Sequence, residues 1–135
     1  MAFPLIPLVI AGIGLGLAAC AKVASTPKVD RPLYDLAGSE WGFEGGSERF
    51  VQFRAKGELS GSGGCNSFFG TYDLNGTTLT IGPLASTKKM CADGMEDERA
   101  FLGALQSARR IEATHMALNI FGETGEILLE LRRRD

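Results

Sequence analysis

The first charged residue in this chain is Lys22, and all 14 Lys+Arg and all 16 Asp+Glu lie from that position onward. The sequence therefore divides into an uncharged apolar start and a mixed body, and only the body has the polar groups a water-facing surface needs. In the start, the 17 residues Phe3–Ala19 are interrupted by Pro4, Pro7, Gly12, Gly14 and Gly16. A spanning helix needs about 20 apolar residues, so this stretch is marginal for one. The 135 residues leave room for a single folded domain. At 44% hydrophobic and 22% charged, the chain is not a disordered tail. Its net charge of −2 gives no basic footprint for a nucleic acid.

The apolar start ends in Leu17-Ala18-Ala19-Cys20. An apolar core followed by a small-residue cleavage site is the pattern of a secretory signal. Leu-Ala-Ala-Cys at that place resembles the bacterial lipobox. The resemblance implies a diacylglycerol on the Cys20 thiol, cleavage before Cys20 and a mature chain of 116 residues. Met1-Ala2-Phe3-Pro4 lacks the Lys or Arg of a usual signal n-region, and an uncleaved anchor is the competing reading. Ala21 after the cysteine implies outer-membrane sorting, with the domain facing the periplasm. Several acyl chains anchor stably where one does not. Residues 1–19 thus read as signal peptide and 20–32 as lipidated Cys20 plus flexible tether. Ser25, Thr26, Pro27, Lys28, Asp30, Arg31 and Pro32 leave the tether too little apolar surface to offset its ordering entropy. Residues 33–135 read as the domain.

Three cysteines are odd for an exported chain. With Cys20 acylated, Cys65 and Cys91 remain, and an oxidising compartment favours their pairing. Two free thiols are the alternative. A Cys2His zinc site with His115, the one histidine, lacks any CxxC or HxxxH spacing, so no metal is expected.

The body reads as short strands with one helix. Val51 and Phe53 alternate with Gln52 and Arg54, the pattern of a half-buried strand. Lys56-Gly57 is a turn, Glu58-Leu59-Ser60 is extended, and Gly61-Ser62-Gly63-Gly64 is too glycine-rich for regular structure, although it allows positive φ or close approach of a neighbour. Asn75-Gly76 is a strong hairpin signal. Folding about it pairs Leu74 with Thr77, Tyr72 with Leu79 and Gly70 with Ile81, which puts Tyr72, Leu74, Leu79 and Ile81 on one face. A helix is expected from Asp93, capped by Asp93 with Glu96 three residues on. Glu96, Asp97 and Glu98 favour the positive end of its dipole, Arg109 and Arg110 the negative end. Met95, Phe101, Leu102, Leu105 and Ala108 form its apolar stripe. The acidic cluster reads as helix-dipole charge in preference to a metal site. A short strand at Ile111–Thr114 precedes two more: Met116, Leu118 and Ile120 alternate, Gly122-Glu123-Thr124-Gly125 turns the chain, and Ile127, Leu129 and Leu131 alternate again. Arg132-Arg133-Arg134 reads as a solvated end, with an anionic or membrane contact as the minor alternative.

No GxSxG, HExxH or Walker loop is present, and His115 lies in no nucleophile motif, so no catalytic residue and no cofactor is expected.

Gly64-Cys65-Asn66-Ser67-Phe68-Phe69-Gly70-Thr71-Tyr72 resembles the Gly-Cys-Asn core of the META (HslJ-like) domain family. Leu79-Thr80-Ile81-Gly82-Pro83-Leu84-Ala85-Ser86-Thr87-Lys88-Lys89-Met90-Cys91 resembles the second half of its signature, and Leu36-Ala37-Gly38-Ser39-Glu40-Trp41 its opening. The resemblance covers residues 33–132. It implies a mainly β (α+β) fold: a small antiparallel, barrel-like sheet with one packed helix. The family motif falls on Gly64, Asn66, Gly70, Ser86, Thr87 and Met90, and Cys65 and Cys91 match its paired cysteines. Asn66 is expected to act structurally, through left-handed backbone or local main-chain bonds. Many members are envelope lipoproteins, some linked to heat stress. The function expected is therefore that of a non-catalytic, envelope-anchored stress or integrity factor that binds an envelope protein, held to the membrane by its lipid and otherwise a monomer. The alternative is a β-barrel inhibitor or hydrophobic-ligand binder using Phe68, Phe69, Phe121 or the Gly61–Gly64 loop. An accessible apolar pocket favours the second reading, a filled interior the first.

Overall fold

The computed structural model describes residues 30–134, together with Pro4, Gly12 and Gly14. The expected cleavage motif and Cys20 lie outside the described residues. Nine strands are present among those described: β1 (Ser39–Gly42), β2 (Arg49–Phe53), β3 (Glu58–Gly63), β4 (Ser67–Asn75), β5 (Thr78–Ile81), β6 (Ala85–Ser86), β7 (Arg110–Ala113), β8 (Ala117–Phe121) and β9 (Ile127–Arg134). One helix, α1 (Met95–Gln106), lies between β6 and β7. Every pairing is antiparallel. The ring runs β1-β2-β3-β4-β5-β7-β8-β9 and back to β1, an eight-stranded closed barrel. Closure removes the unpaired sheet edges that invite aggregation.

The strand periodicities decide what fills the ring. Val51 and Phe53 of β2, Leu118 and Ile120 of β8, and Leu129 and Leu131 of β9 are buried. They meet Trp41, Leu59, Phe68, Leu79 and Ile81 inside. The two ends are also closed. At one end α1 touches β3, β5 and β9, which are not neighbours in the ring, so the helix lies across the opening. Its Phe101 packs edge-on against Phe68 at 6.0 Å and Phe43 at 5.5 Å. At the other end, the Leu33 N–H donates to Ala113 O and the Gly38 N–H to Phe53 O, at 2.9 and 2.8 Å. β7 and β2 stand on opposite sides of the ring, so this segment also crosses the opening, with Leu36 fully buried beneath it. Ser39 fixes the plug: its hydroxyl accepts from the Trp41 indole N–H at 2.7 Å and donates to Leu36 O.

Several local expectations need correction. The β4–β5 hairpin pairs Leu74 with Leu79 and Tyr72 with Ile81, and its turn is Gly76-Thr77. The register is thus two residues from the one expected. Only Gly76 takes positive φ (61°), the glycine-first arrangement of a type II′ loop, whereas an Asn-Gly I′ turn needs both residues there. The shift sets apolar side chains directly opposite one another and, being even, leaves the buried face unchanged. Gly61–Gly63 continue β3 as regular strand. Asp93 does not cap α1: the N-cap is Gly94, at φ 86° and with no side-chain bond. Arg109 and Arg110 lie past the helix, Arg110 opening β7. Arg132–Arg134 are not a loose end but the last residues of β9, paired with β1, and Arg134 reaches Glu40 at 3.8 Å. Asp30, Arg31 and Pro32, assigned to the tether, are bonded to residues 114–116.

β5 and β6 are two halves of one return strand along β4, separated at residues 82–84 by a one-residue change of register. The thinnest seam is β5–β7, where one residue pair, Thr78 with Arg110, is in register.

Gly61 tests the packing. A Cβ there meets Phe50 O at 2.2 Å and Phe68 Cζ at 2.6 Å, and the backbone oxygen cannot yield as a flexible side chain would. Gly61→Ala is expected to lower the unfolding free energy by about 3 kcal/mol in urea titration. A loss within experimental error would show that β2 and β3 do not approach this closely.

Candidate functional site

The β3–β4 turn holds Gly64, Cys65 and Asn66, and the left-handed position is taken by Gly64 at φ 109°, not by Asn66. Asn66 is buried and works through its side chain. Its Nδ2 donates to Lys89 O (3.1 Å) and to Glu98 Oε2 (2.8 Å). Its Oδ1 accepts from the Lys89 N–H (2.7 Å) and the Thr87 hydroxyl (2.8 Å). Every donor and acceptor place of the amide is thereby filled. The backbone joins in: the Asn66 N–H donates to Glu98 Oε1 at 2.5 Å, and Asn66 O accepts from the Gly63 N–H at 2.8 Å.

Glu98 is the site residue that sequence reasoning missed. It was read as helix-dipole charge, yet its side chain is buried against Gly63, where a Cβ would lie 2.4 Å from Glu98 Cγ. A signal was present: Met95, Phe101, Leu102 and Leu105 stand at −3, +3, +4 and +7 from it, so Glu98 sits inside the apolar stripe. Burial pushes its pKa up. The Asn66 side chain and the Asn66 and Cys65 backbone N–H groups outweigh that, holding the carboxyl below its ordinary 4.5.

Cys65 and Cys91 form the expected disulfide, with Cα atoms 6.0 Å apart across a separation of 26 residues. Thr87 also pairs its backbone with Ser67, the Thr87 N–H donating to Ser67 O at 3.0 Å. Of the remaining motif residues, Gly70 lies along β4, where it makes room for Leu84. Ser86 ends β6 and accepts from Lys88 Nζ at 3.4 Å. Met90 is 86% exposed and takes no part in the network. Among the aromatic candidates, Phe68 is core, Arg110 lies over Phe121 at 4.1 Å, and Phe69 is 55% exposed.

Two clefts open at this end of the barrel, the first lined by both cysteines and the second by Asn66 and Glu98. One, of about 330 Å³, is lined by Glu48, Asp93 and Asp97 with Arg49, whose guanidinium stacks on Phe43 at 4.2 Å. The other, of about 290 Å³, carries Lys88, Lys89 and Arg99 beside Met90, Met95 and Leu102. No group of three or more His, Cys, Asp or Glu suited to a metal ion occurs among the described residues. His115 lies exposed in the β7–β8 turn. The arrangement can clamp chain segments together and present an acidic and a basic cleft. Its polar atoms are committed to that clamp.

Two expectations follow from the clamp. Cys65→Ser and Cys91→Ser are each expected to cost about 3.5 kcal/mol in denaturant titration, and the double variant no more; additive losses would mean the two sulfurs share no bond. Glu98→Gln is expected to be about 2 kcal/mol less stable near neutral pH. Because the folded pKa of Glu98 is lowered, its contribution is complete above 4.5 and is lost as pH falls through the folded value. The wild type should therefore lose more stability than Glu98→Gln on acidification below 4.5. Parallel stability–pH curves would show that the carboxylate is not held by these donors.

The barrel is similar to the NMR structure of a protein from Burkholderia xenovorans, with a TM-score of 0.60 at 20% identity, covering 81% of this chain and 94% of the other. A DUF4847 family protein from Bacteroides vulgatus ATCC 8482 is also similar, at TM-score 0.49 and 21% identity, covering 64% of this chain and 57% of the other. No curated protein matches. The META domain family model matches residues 34–135, which span the whole barrel, both halves of the cysteine signature and the helix that bears Glu98. This chain belongs to the META domain family.

Proposed function

We propose that this META domain is a lipid-tethered, non-catalytic binding module of the bacterial cell envelope, acting on another envelope protein in stress response or envelope integrity. The observation that carries the reading is the filled interior. Trp41, Phe53, Phe68, Leu79, Leu118 and Leu131 occupy the ring, with Phe101 at one end and Leu36 at the other. That packing favours an outer working surface over the alternative, a barrel that carries a hydrophobic ligand within. The commitment of Asn66, Thr87 and Glu98 to one another supports a structural role for the family motif. The disulfide suits an oxidising compartment. Leu17-Ala18-Ala19-Cys20 supports acylation and outer-membrane anchoring. Among the described residues no helix is long and apolar enough to cross a membrane.

Fractionation of cells expressing the full chain tests the anchor. The wild type is expected in the membrane fraction with a mature mass that includes acyl chains, and Cys20→Ser in the soluble fraction or as uncut precursor without acyl mass. A Cys20→Ser protein that keeps the wild-type mass and distribution would replace the lipid by an uncleaved apolar anchor.

A further inference from the structure

The described chain on the Cys20 side begins at Asp30, which is held at a defined place on the barrel. The Asp30 carboxylate accepts from the Met116 N–H at 3.1 Å and from the Thr114 hydroxyl. Arg31 O accepts from the His115 N–H at 2.9 Å, and Pro32 bridges to Thr114. The exit is therefore the β7–β8 turn. Strand direction alternates around an antiparallel ring, which puts this turn at the same end as the β2–β3 and β4–β5 turns. The β3–β4 turn with Cys65, and helix α1, lie at the other end. Residues 21–29 separate Cys20 from Asp30, a reach of at most about 35 Å when fully extended.

The exit end carries a feature the fold does not use. Tyr34 is 86% exposed and Met116 is 53% exposed, and both flank the docked segment. A groove of about 570 Å³ lined by Leu33, Tyr34, Ile111 and Ala113 opens beside them. Arg31, Arg54 and Lys56 are exposed at this end with no ion pair among the described residues. Two of the nearby acids are engaged: Asp30 as described, and Asp35 by the Ala37 N–H at 2.9 Å. Glu58 and Asp73 are exposed there as well, and Glu112, in the groove lining, is paired with Arg110 at 3.1 Å. A tyrosine with an apolar body and polar tip, beside cations, suits the headgroup layer of a bilayer.

We propose that the barrel stands on this end, with Tyr34 and Met116 in the headgroup layer of the membrane that holds its acyl chains. The disulfide, helix α1 and the cleft with Lys88, Lys89 and Met90 then face away from that membrane, where a partner reaches them. The inference rests on acylation at Cys20.

The test uses the full acylated protein in vesicles of phosphatidylethanolamine and phosphatidylglycerol with brominated acyl chains, which quench nearby indoles. Tyr34→Trp, Met116→Trp and Met90→Trp are compared with the wild type, whose buried Trp41 sets the baseline. The added fluorescence of Tyr34→Trp and Met116→Trp is expected to be quenched several-fold more than that of Met90→Trp. Equal quenching, or stronger quenching at Met90, overturns the seating and leaves the anchor intact. Unquenched Tyr34→Trp with a dimer mass overturns it in favour of a second copy on this face. A sample whose mass shows no acyl chain overturns both the seating and the anchor.

Discussion

One amide side chain, that of Asn66, joins three parts of the chain that are distant in sequence. It holds the Lys89 peptide by both its N–H and its C=O, takes the Thr87 hydroxyl, and binds the Glu98 carboxylate on helix α1. Without that amide the loop after β6 loses its bonds at Lys89 and at the Thr87 hydroxyl, and Glu98 keeps only the backbone N–H groups of Asn66 and Cys65. The Cys65–Cys91 bond closes the same loop covalently. A buried carboxylate is costly unless its lone pairs are met by donors. Here three N–H groups meet them, which makes the clamp both stable and specific to this arrangement.

The barrel sets what such a clamp can serve. A ring closed by strand pairing, and then plugged by Phe101 at one end and Leu36 at the other, has little interior left for a ligand. Its distinctive polar surface lies at the helix end, where one cleft carries Glu48, Asp93 and Asp97 and another Lys88, Lys89 and Arg99. The N-terminal chain docks at the opposite end. The domain is thus polarised, with one end shaped by the docked residues 30–38 and the other by the family signature.

Much of the strand pattern was legible in the sequence. Period-two alternation at Val51 and Phe53, at Leu118 and Ile120, and at Leu129 and Leu131 records burial on one face, and burial is a property of each residue in turn. The hairpin register was less legible. Asn75-Gly76 is a strong local turn signal, but direct pairing of Leu74 with Leu79 and Tyr72 with Ile81 across the hairpin prevailed over it. The helix stripe was visible, yet the carboxylate within it was read as an end charge, because a sequence gives no sign of the amide that waits for it 32 residues away. Arg132–Arg134 read as a tail because charge alone does not reveal a β1 partner ninety or more positions earlier.

By itself the sequence determined the separation of an uncharged start from a single mixed domain, the alternation of the strands, the existence of one amphipathic helix and the family to which the cysteine signature belongs. These are local properties, written in residue type and spacing. The tertiary structure alone decided which strand closes the ring, which segment plugs each end, and that Asn66 and Glu98 form one site. Each depends on groups far apart in the chain meeting within hydrogen-bond distance, and only the assembled core sets that separation.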